Sequence, residues 1–192
     1  MSLEVTFGSM FSGKTTYLVE KMTKIITVKN SNNDTLVYKG LLINSLKDSR
    51  KKSVFNVSTH SNLKLSPNQN ITVANLERLD ELDVDYICYF DYIAIDESQF
   101  FDDLVETVKL WLSYNKHIHC SGLVADTNKN KFGHLVDLIP LAEHVEQKKA
   151  ICVKCVNGFN KGVFTKRKNE SSEEVILVSG NEDYYPVCGE HY

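Results

Sequence analysis

Neither sign of charge dominates this chain: 22 Lys and Arg stand against 25 Asp and Glu, a net of −3. With that balance and a pI of about 6.1, a nucleic-acid partner is not expected. No apolar run reaches the length that spans a bilayer, and the start, MSLEVTFGSM, lacks a basic segment followed by an apolar one. A membrane partner is not expected either. Five cysteines, an odd number without a secretion signal, favour reduced thiols or metal over disulfides and point to a cytosolic compartment. With 42% hydrophobic and 24% charged residues in 192, the composition is that of a soluble globular protein able to bury a real core.

Against these absences stands one concentrated signal, residues 8–16, GSMFSGKTT, directly after the apolar run Leu3 to Phe7. Gly8, Gly13, Lys14 and Thr15 fit G-x-x-x-x-G-K-[ST], the phosphate-binding loop between a strand and a helix. Glycines let the backbone curl so that successive N–H groups point at phosphate oxygens, and the helix that follows presents its positive end. Lys14 is expected to reach the β/γ-phosphates and Thr15 to ligate Mg²⁺. A plain Gly-rich turn before a helix is the alternative.

From there strand and helix signals alternate. A helix is predicted from Thr15 to about Val28, a turn at 30–34, and a strand within Val37 to Asn44. The polar stretch from Lys47 to Asn70 is too long for a plain connector and reads as a functional or mobile loop. Ile71 to Ala74 reads as a strand and Asn75 to Leu82 as a short helix. YIAIDE, Tyr92 to Glu97, ends an apolar strand in two carboxylates, where open α/β sheets bind ligands. Asp96 suits a Mg²⁺ contact. Glu97, on the opposite side by strand alternation, suits a general base acting on a substrate hydroxyl. An acidic cap on the next helix would produce the same two letters.

A helix follows from Asp102 to Tyr114, with Trp111 assigned to the core, and then a strand from His117 to Leu123. His117 and His119 share one strand face, read as half-buried and not as a metal pair. Ala125 to Lys131 is a polar loop, and Phe132 to Leu141 a helical run that Pro140 ends or kinks. Cys88 and Cys120 read as buried thiols. The last forty-odd residues change character: Cys152-x-x-Cys155 and Cys188-x-x-His191 are two knuckles, the pattern of a closed tetrahedral structural Zn²⁺ site. A redox Cys-x-x-Cys would need a thioredoxin-like context that is missing. The expected fold is α/β, a P-loop (RecA-like) mostly parallel sheet flanked by helices, residues 1–149, followed by a small zinc-binding domain, residues 150–192.

Taken in order, GSMFSGKTT, KDSR, THS, DESQFF, FGHLVDLIPLAE, CxxC, FTKR and GNEDYYPVCGEH resemble the type II thymidine kinases, the family of the cellular cytosolic enzyme and its poxviral relatives. The resemblance covers essentially the whole chain. It implies phosphorylation of the thymidine 5′-hydroxyl (and that of deoxyuridine) with ATP and Mg²⁺, a homotetramer, feedback inhibition by dTTP, and a cytoplasmic location, the host's if the chain is viral. It implies Glu97, Lys14 and Arg50 as catalytic residues. Gly8, Ser9, Met10, Phe11, Ser12, Gly13, Lys14, Thr15, Thr16, Asp48, Asp96 and Gln99 would meet the donor and its metal. Met10, Phe100, Leu123, Phe132, Thr165, Val175, Leu177 and Tyr184 would surround the nucleoside, with Thr165, Val175 and Leu177 in a lasso that grips the base through main-chain groups. Where relatives carry Asp and an aromatic after the fifth strand, this chain has Val124 and Thr127. Rival readings are a P-loop ATPase or GTPase switch, a broader deoxynucleoside kinase, and a zinc-bearing binding module with a dead nucleotide site. The motif completeness disfavours the last, and Asn128-Lys129-Asn130-Lys131 lacks the acid of a guanine-reading motif.

Overall fold

A computed structural model of the chain describes residues 1–29, 35–48, 70–168 and 183–192, with backbone only for 27–29 and 35–37. The elements run β1 (Ser2–Gly8), α1 (Lys14–Ile26), β2 (Thr27–Lys29), β3 (Thr35–Val37), β4 (Gly40–Ser45), β5 (Ile71–Leu76), α2 (Val84–Cys88), β6 (Tyr92–Ile95), α3 (Leu104–Ser113), β7 (His117–Gly122), β8 (His144–Lys148), β9 (Phe164–Arg167) and β10 (Tyr184–Val187). Six strands form one sheet in the order β5-β4-β6-β7-β1-β8, and each pairing among them is parallel. β9 and β10 form a separate antiparallel pair, as do β2 and β3.

Parallel strands need covered faces, so their sequences are apolar on both sides. β4 shows this: all six of its residues are buried. Leu41 and Ile43 join the core beneath α3, with Leu3, Val5, Ile93, Ile95, Ile118, Val108 and Trp111. Leu42 faces the other way, into the cluster that Leu18, Val19, Met22 and Ile26 of α1 form on Tyr92 and Ala94. The helical spacing of those α1 residues is what makes the helix lie flat on the sheet.

Several elements differ from expectation. The predicted helix at Asn75 to Leu82 is instead the end of β5 followed by a single 3₁₀ turn, Leu79–Glu81, because pairing to β4 continues through Leu76. The run before Pro140 is a 3₁₀ segment, Leu135–Leu141, that carries the proline within it. α1 stops at Ile26 and the chain passes straight into β2. Cys88 is exposed at the end of α2, whereas Cys120 is buried as expected. His119 is fully buried rather than half-buried: one ring nitrogen meets Thr6 Oγ1 at 2.8 Å and the other Tyr92 OH at 3.0 Å. Burial holds its pKa down at about 4 and pushes the Cys120 thiol up to about 12.

Candidate active site

The register brings the carboxyl ends of β1, β4, β6 and β7 to one edge of the sheet, with Phe7 opposite Gly122, Ile95 opposite Cys120 and Ile43 opposite Ile95. Ligands bind at this edge in open parallel sheets. The loop Ser9 to Gly13 leaves β1 there and enters α1 at Lys14. Two of its residues, Phe11 and Gly13, have left-handed backbone (φ 64° and 79°), the curl that turns amide groups inward. Gly8 cannot carry a side chain: a Cβ would lie 2.0 Å from the Lys148 carbonyl oxygen of β8. Ser12 Oγ is buried without a hydrogen-bond partner among the described residues, a donor left over for an anion. The buried Lys14 ammonium donates to the Ser9 carbonyl at 2.9 Å, folded over the cradle it encloses. Beside the loop lies an open cleft of about 600 Å³, between Ser12, Gly13, Thr16 and Tyr17 on one side and Glu146–Lys149 on the other. Tyr17 floors it: its hydroxyl is tied to Glu146, which with burial pushes its pKa up to about 12, and the Lys148 ammonium stands 3.8 Å from its ring.

Asp96 and Glu97 follow β6 at the same edge. Thr15 Oγ1 donates to Asp96 Oδ1 at 3.1 Å, joining the loop's hydroxyl to the buried acid. Strand alternation does not aim Glu97, because β6 ends at Ile95. Glu97 instead takes left-handed backbone (φ 49°, ψ 44°), which is uncommon for a side-chain-bearing residue and sets the direction in which its side chain leaves the chain. It heads the 3₁₀ turn Ser98–Phe100 but makes no side-chain cap, so the capping alternative fails. Gln99 holds it: the amide Nε2 donates to Glu97 Oε2 at 2.7 Å, while Oε1 accepts from the Leu123 amide at 2.9 Å. Gln99, expected among the donor contacts, thus braces the carboxylate. Asp48 is buried just past β4, in the neighbouring strand-end turn.

Some of the expected nucleoside walls meet one another. Phe100 and Phe132 meet edge to face with centroids 5.7 Å apart, and Leu123 is half-buried beside Gln99. Met10 N donates to Thr165 Oγ1 of β9 at 3.0 Å, and Ser9 Oγ to the Gly162 carbonyl at 2.7 Å, so the knuckle region sits against the phosphate loop. Tyr184 is buried on β10, its hydroxyl accepting from Arg167 at 3.2 Å. Arg50, Val175 and Leu177 lie outside the described residues, as do THS and most of the long polar stretch.

Cys152, Cys155, Cys188 and His191 converge, their ligand atoms all within 4.8 Å of one another. Cys155 and Cys188 sulfurs are 3.7 Å apart, and His191 Nδ1 lies 3.9, 3.4 and 3.2 Å from the sulfurs of Cys152, Cys155 and Cys188. A tetrahedral zinc with bonds of about 2.3 Å to sulfur and 2.0 Å to nitrogen needs edges of roughly 3.5–3.8 Å. The donor set and its spacing fit that ion. The hydrogen bond between Cys188 and His191 lowers the thiol pKa and raises that of the imidazole.

Sequence reasoning missed the contributions of β8, Gly162, Lys129 and Tyr192. The first carries no periodic signal, since HVEQK holds a single apolar residue and that one is exposed. Among the described residues no helix is long and apolar enough to cross a membrane.

The thymidine kinase family model matches residues 1–192. A thymidine kinase of Choristoneura fumiferana entomopoxvirus is 30% identical, over 98% of this chain and 94% of its own length. One from Oryza sativa subsp. japonica is 34% identical over 99% of this chain and 65% of the relative. The cytosolic thymidine kinase of Homo sapiens is 29% identical over 97% of this chain and 70% of the relative. With a phosphate loop joined to a carboxylate pair, a Cys₃His cluster and a match that runs from end to end, this chain belongs to the thymidine kinase family.

Proposed function

We propose that this chain transfers the γ-phosphoryl group of ATP to the 5′-hydroxyl of thymidine, and of deoxyuridine, with Mg²⁺. The observation that carries the reading is the division of labour between two adjacent acids. Asp96 is bonded to Thr15, where a phosphate-bound metal would be held, and Glu97 is bonded instead to Gln99. One acid serves the donor and the other the acceptor.

Lys14 exchanges the Ser9 carbonyl for phosphate oxygens, and the loop amides with Ser12 Oγ receive the rest of the charge. Bound Mg²⁺ would neutralise charge on the phosphates, with Thr15, Asp96 and Asp48 as the residues that hold it. Glu97 aligns the 5′-hydroxyl oxygen and accepts its proton as that oxygen bonds to phosphorus; the electron pair of the broken bond leaves with the diphosphate. Phe100, Phe132, Leu123, Met10 and Tyr184 wall the nucleoside. The cleft beside Tyr17 has room for the donor's nucleoside half. From the resemblance, Arg50 belongs at the phosphates, and Val175 and Leu177, with Thr165, in the loop that reads the base. Residues 1–149 form the nucleotide-binding unit and 150–192 a zinc-held unit over the acceptor. A homotetramer, dTTP feedback and a cytoplasmic location complete the reading.

The test is transfer of label from γ-labelled ATP with Mg²⁺. Labelled thymidine monophosphate is expected. Label released as inorganic phosphate whether or not a nucleoside is present would replace the kinase with an ATPase.

A further inference from the structure

The loop between Leu123 and Phe132 carries two of the nucleoside walls at its base, and it is tightly built. Asp126 Oδ1 accepts from the amides of Asn128 and Asn130, each at 2.8 Å, and Phe132 N donates to Val124 O at 3.0 Å. These bonds shape the loop but do not fix its tilt against the rest of the protein. Its tip is gripped from outside. Lys129, in left-handed backbone (φ 63°), extends its ammonium to 3.5 Å from the Tyr192 ring centroid and 4.3 Å from that of Phe164. The two rings meet edge to face at 5.5 Å, and the Tyr192 hydroxyl donates to the Thr127 carbonyl. Tyr192 adjoins the cluster residue His191, and Phe164 adjoins Thr165, which holds Met10.

We propose that Tyr192 and Lys129 are positioning residues: an aromatic latch through which the Cys₃His knuckle sets the loop that carries Leu123 and Phe132, and so sets the affinity for the nucleoside. A cation over two rings and a hydroxyl on a main-chain carbonyl fix both direction and distance, which one contact alone would not. The latch touches neither the phosphate loop nor Glu97, so it acts on the acceptor and not on the donor. The proposal rests on the kinase reading above.

Steady-state kinetics and thymidine binding by calorimetry, with zinc content measured on each protein, test it. Lys129→Met keeps the stem and removes the charge without altering a residue of the Cys₃His cluster or its chain neighbours. It is expected to raise the thymidine KM and Kd about three- to tenfold while leaving the ATP KM in place. Tyr192→Leu should do the same, Tyr192→Phe less, and the double variant should be far from additive because both changes open one latch. If Tyr192→Leu sheds zinc, Lys129→Met decides alone. Unchanged thymidine KM and Kd in Lys129→Met, or an equal rise in the ATP KM, overturns the latch while leaving the kinase intact. A wild-type protein that transfers nothing to thymidine overturns the kinase reading, and this proposal with it.

Discussion

Met10 of the phosphate loop and Thr165 of β9 are joined by one hydrogen bond, from the Met10 amide to Thr165 Oγ1 at 3.0 Å, across 155 positions of sequence. It places the loop that takes the donor's charge in direct contact with the region expected to hold the acceptor. Thr165→Val keeps the shape and removes the acceptor. Leaving a partly buried amide unpaired costs about 1–3 kcal/mol, so KM for both substrates should rise at least about fivefold, with Thr165→Ser restoring it. A variant that raises neither constant would show the bond to be incidental.

Lys14→Ala should leave the thermal midpoint near that of wild type, since the ammonium's hydrogen bond to the Ser9 carbonyl holds a group kept for the ligand and not the core. Its kcat should fall by more than tenfold, because a charged donor at the phosphates supplies a few kcal/mol to the transition state. Retention of more than about a tenth of wild-type kcat would remove Lys14 from the phosphates.

Glu97→Gln keeps the side chain's shape but takes no proton. A kcat lower by about 10²–10⁴ is expected, with thymidine and ATP still bound nearly as well. Asp96→Asn should instead raise the Mg²⁺ concentration needed for half-maximal rate. Near-wild-type turnover by Glu97→Gln would leave the proton to some other acceptor.

Protein purified without chelator should hold about one zinc per chain, and Cys152→Ser should lower thermal stability or give insoluble material. With the knuckle bonded to the phosphate loop through Gly162 and Thr165, weaker thymidine binding should follow. A soluble, metal-free and fully active protein would contradict this.

His119 makes stability depend on acid. At pH 7 its ring is neutral both folded and unfolded. Below about 6.5 the unfolded chain takes up a proton that the buried ring refuses until about pH 4. Stability is therefore complete above 6.5 and lost as pH falls toward 4, by an amount of order a few kcal/mol. Melting curves from pH 7 to 5 should show the loss, and His119→Gln should flatten it relative to its own value at pH 7. An equal slope in the two proteins would assign the acid sensitivity elsewhere.

The parts legible in the sequence are those where one local pattern has one physical solution. An apolar run closing in GSMFSGKTT can hardly be other than a strand, an anion loop and a helix, and Leu18, Val19 and Met22 declare the face of α1 that is buried. The spaced ligands of the knuckle are equally plain, since they converge in space. What stayed hidden depends on neighbours remote in sequence. β8 is a largely exposed edge strand whose HVEQK is mostly polar, and only pairing with β1 makes it a strand. α2 is five residues long and rests on Asp83 capping the Tyr86 amide, too short for any periodicity. The motif singles out Glu97 as a candidate, but its backbone angle is one that no alternation rule supplies. Gln99 could be recognised only once Leu123 was beside it.

The position of β1 has a consequence for how the chain is made. β1 lies between β7 and β8, so its two flanks do not exist until residues 117–122 and 144–148 have been added. The Lys148 carbonyl that crowds Gly8 arrives about one hundred and forty residues after it. On the ribosome, the nascent anion loop therefore waits with unpaired edges through most of translation, at roughly 5–20 residues per second. β1 is among the last strands of the sheet to be enclosed, and a ribosome stalled before residue 144 holds β4, β6 and β7 but no finished nucleotide cradle.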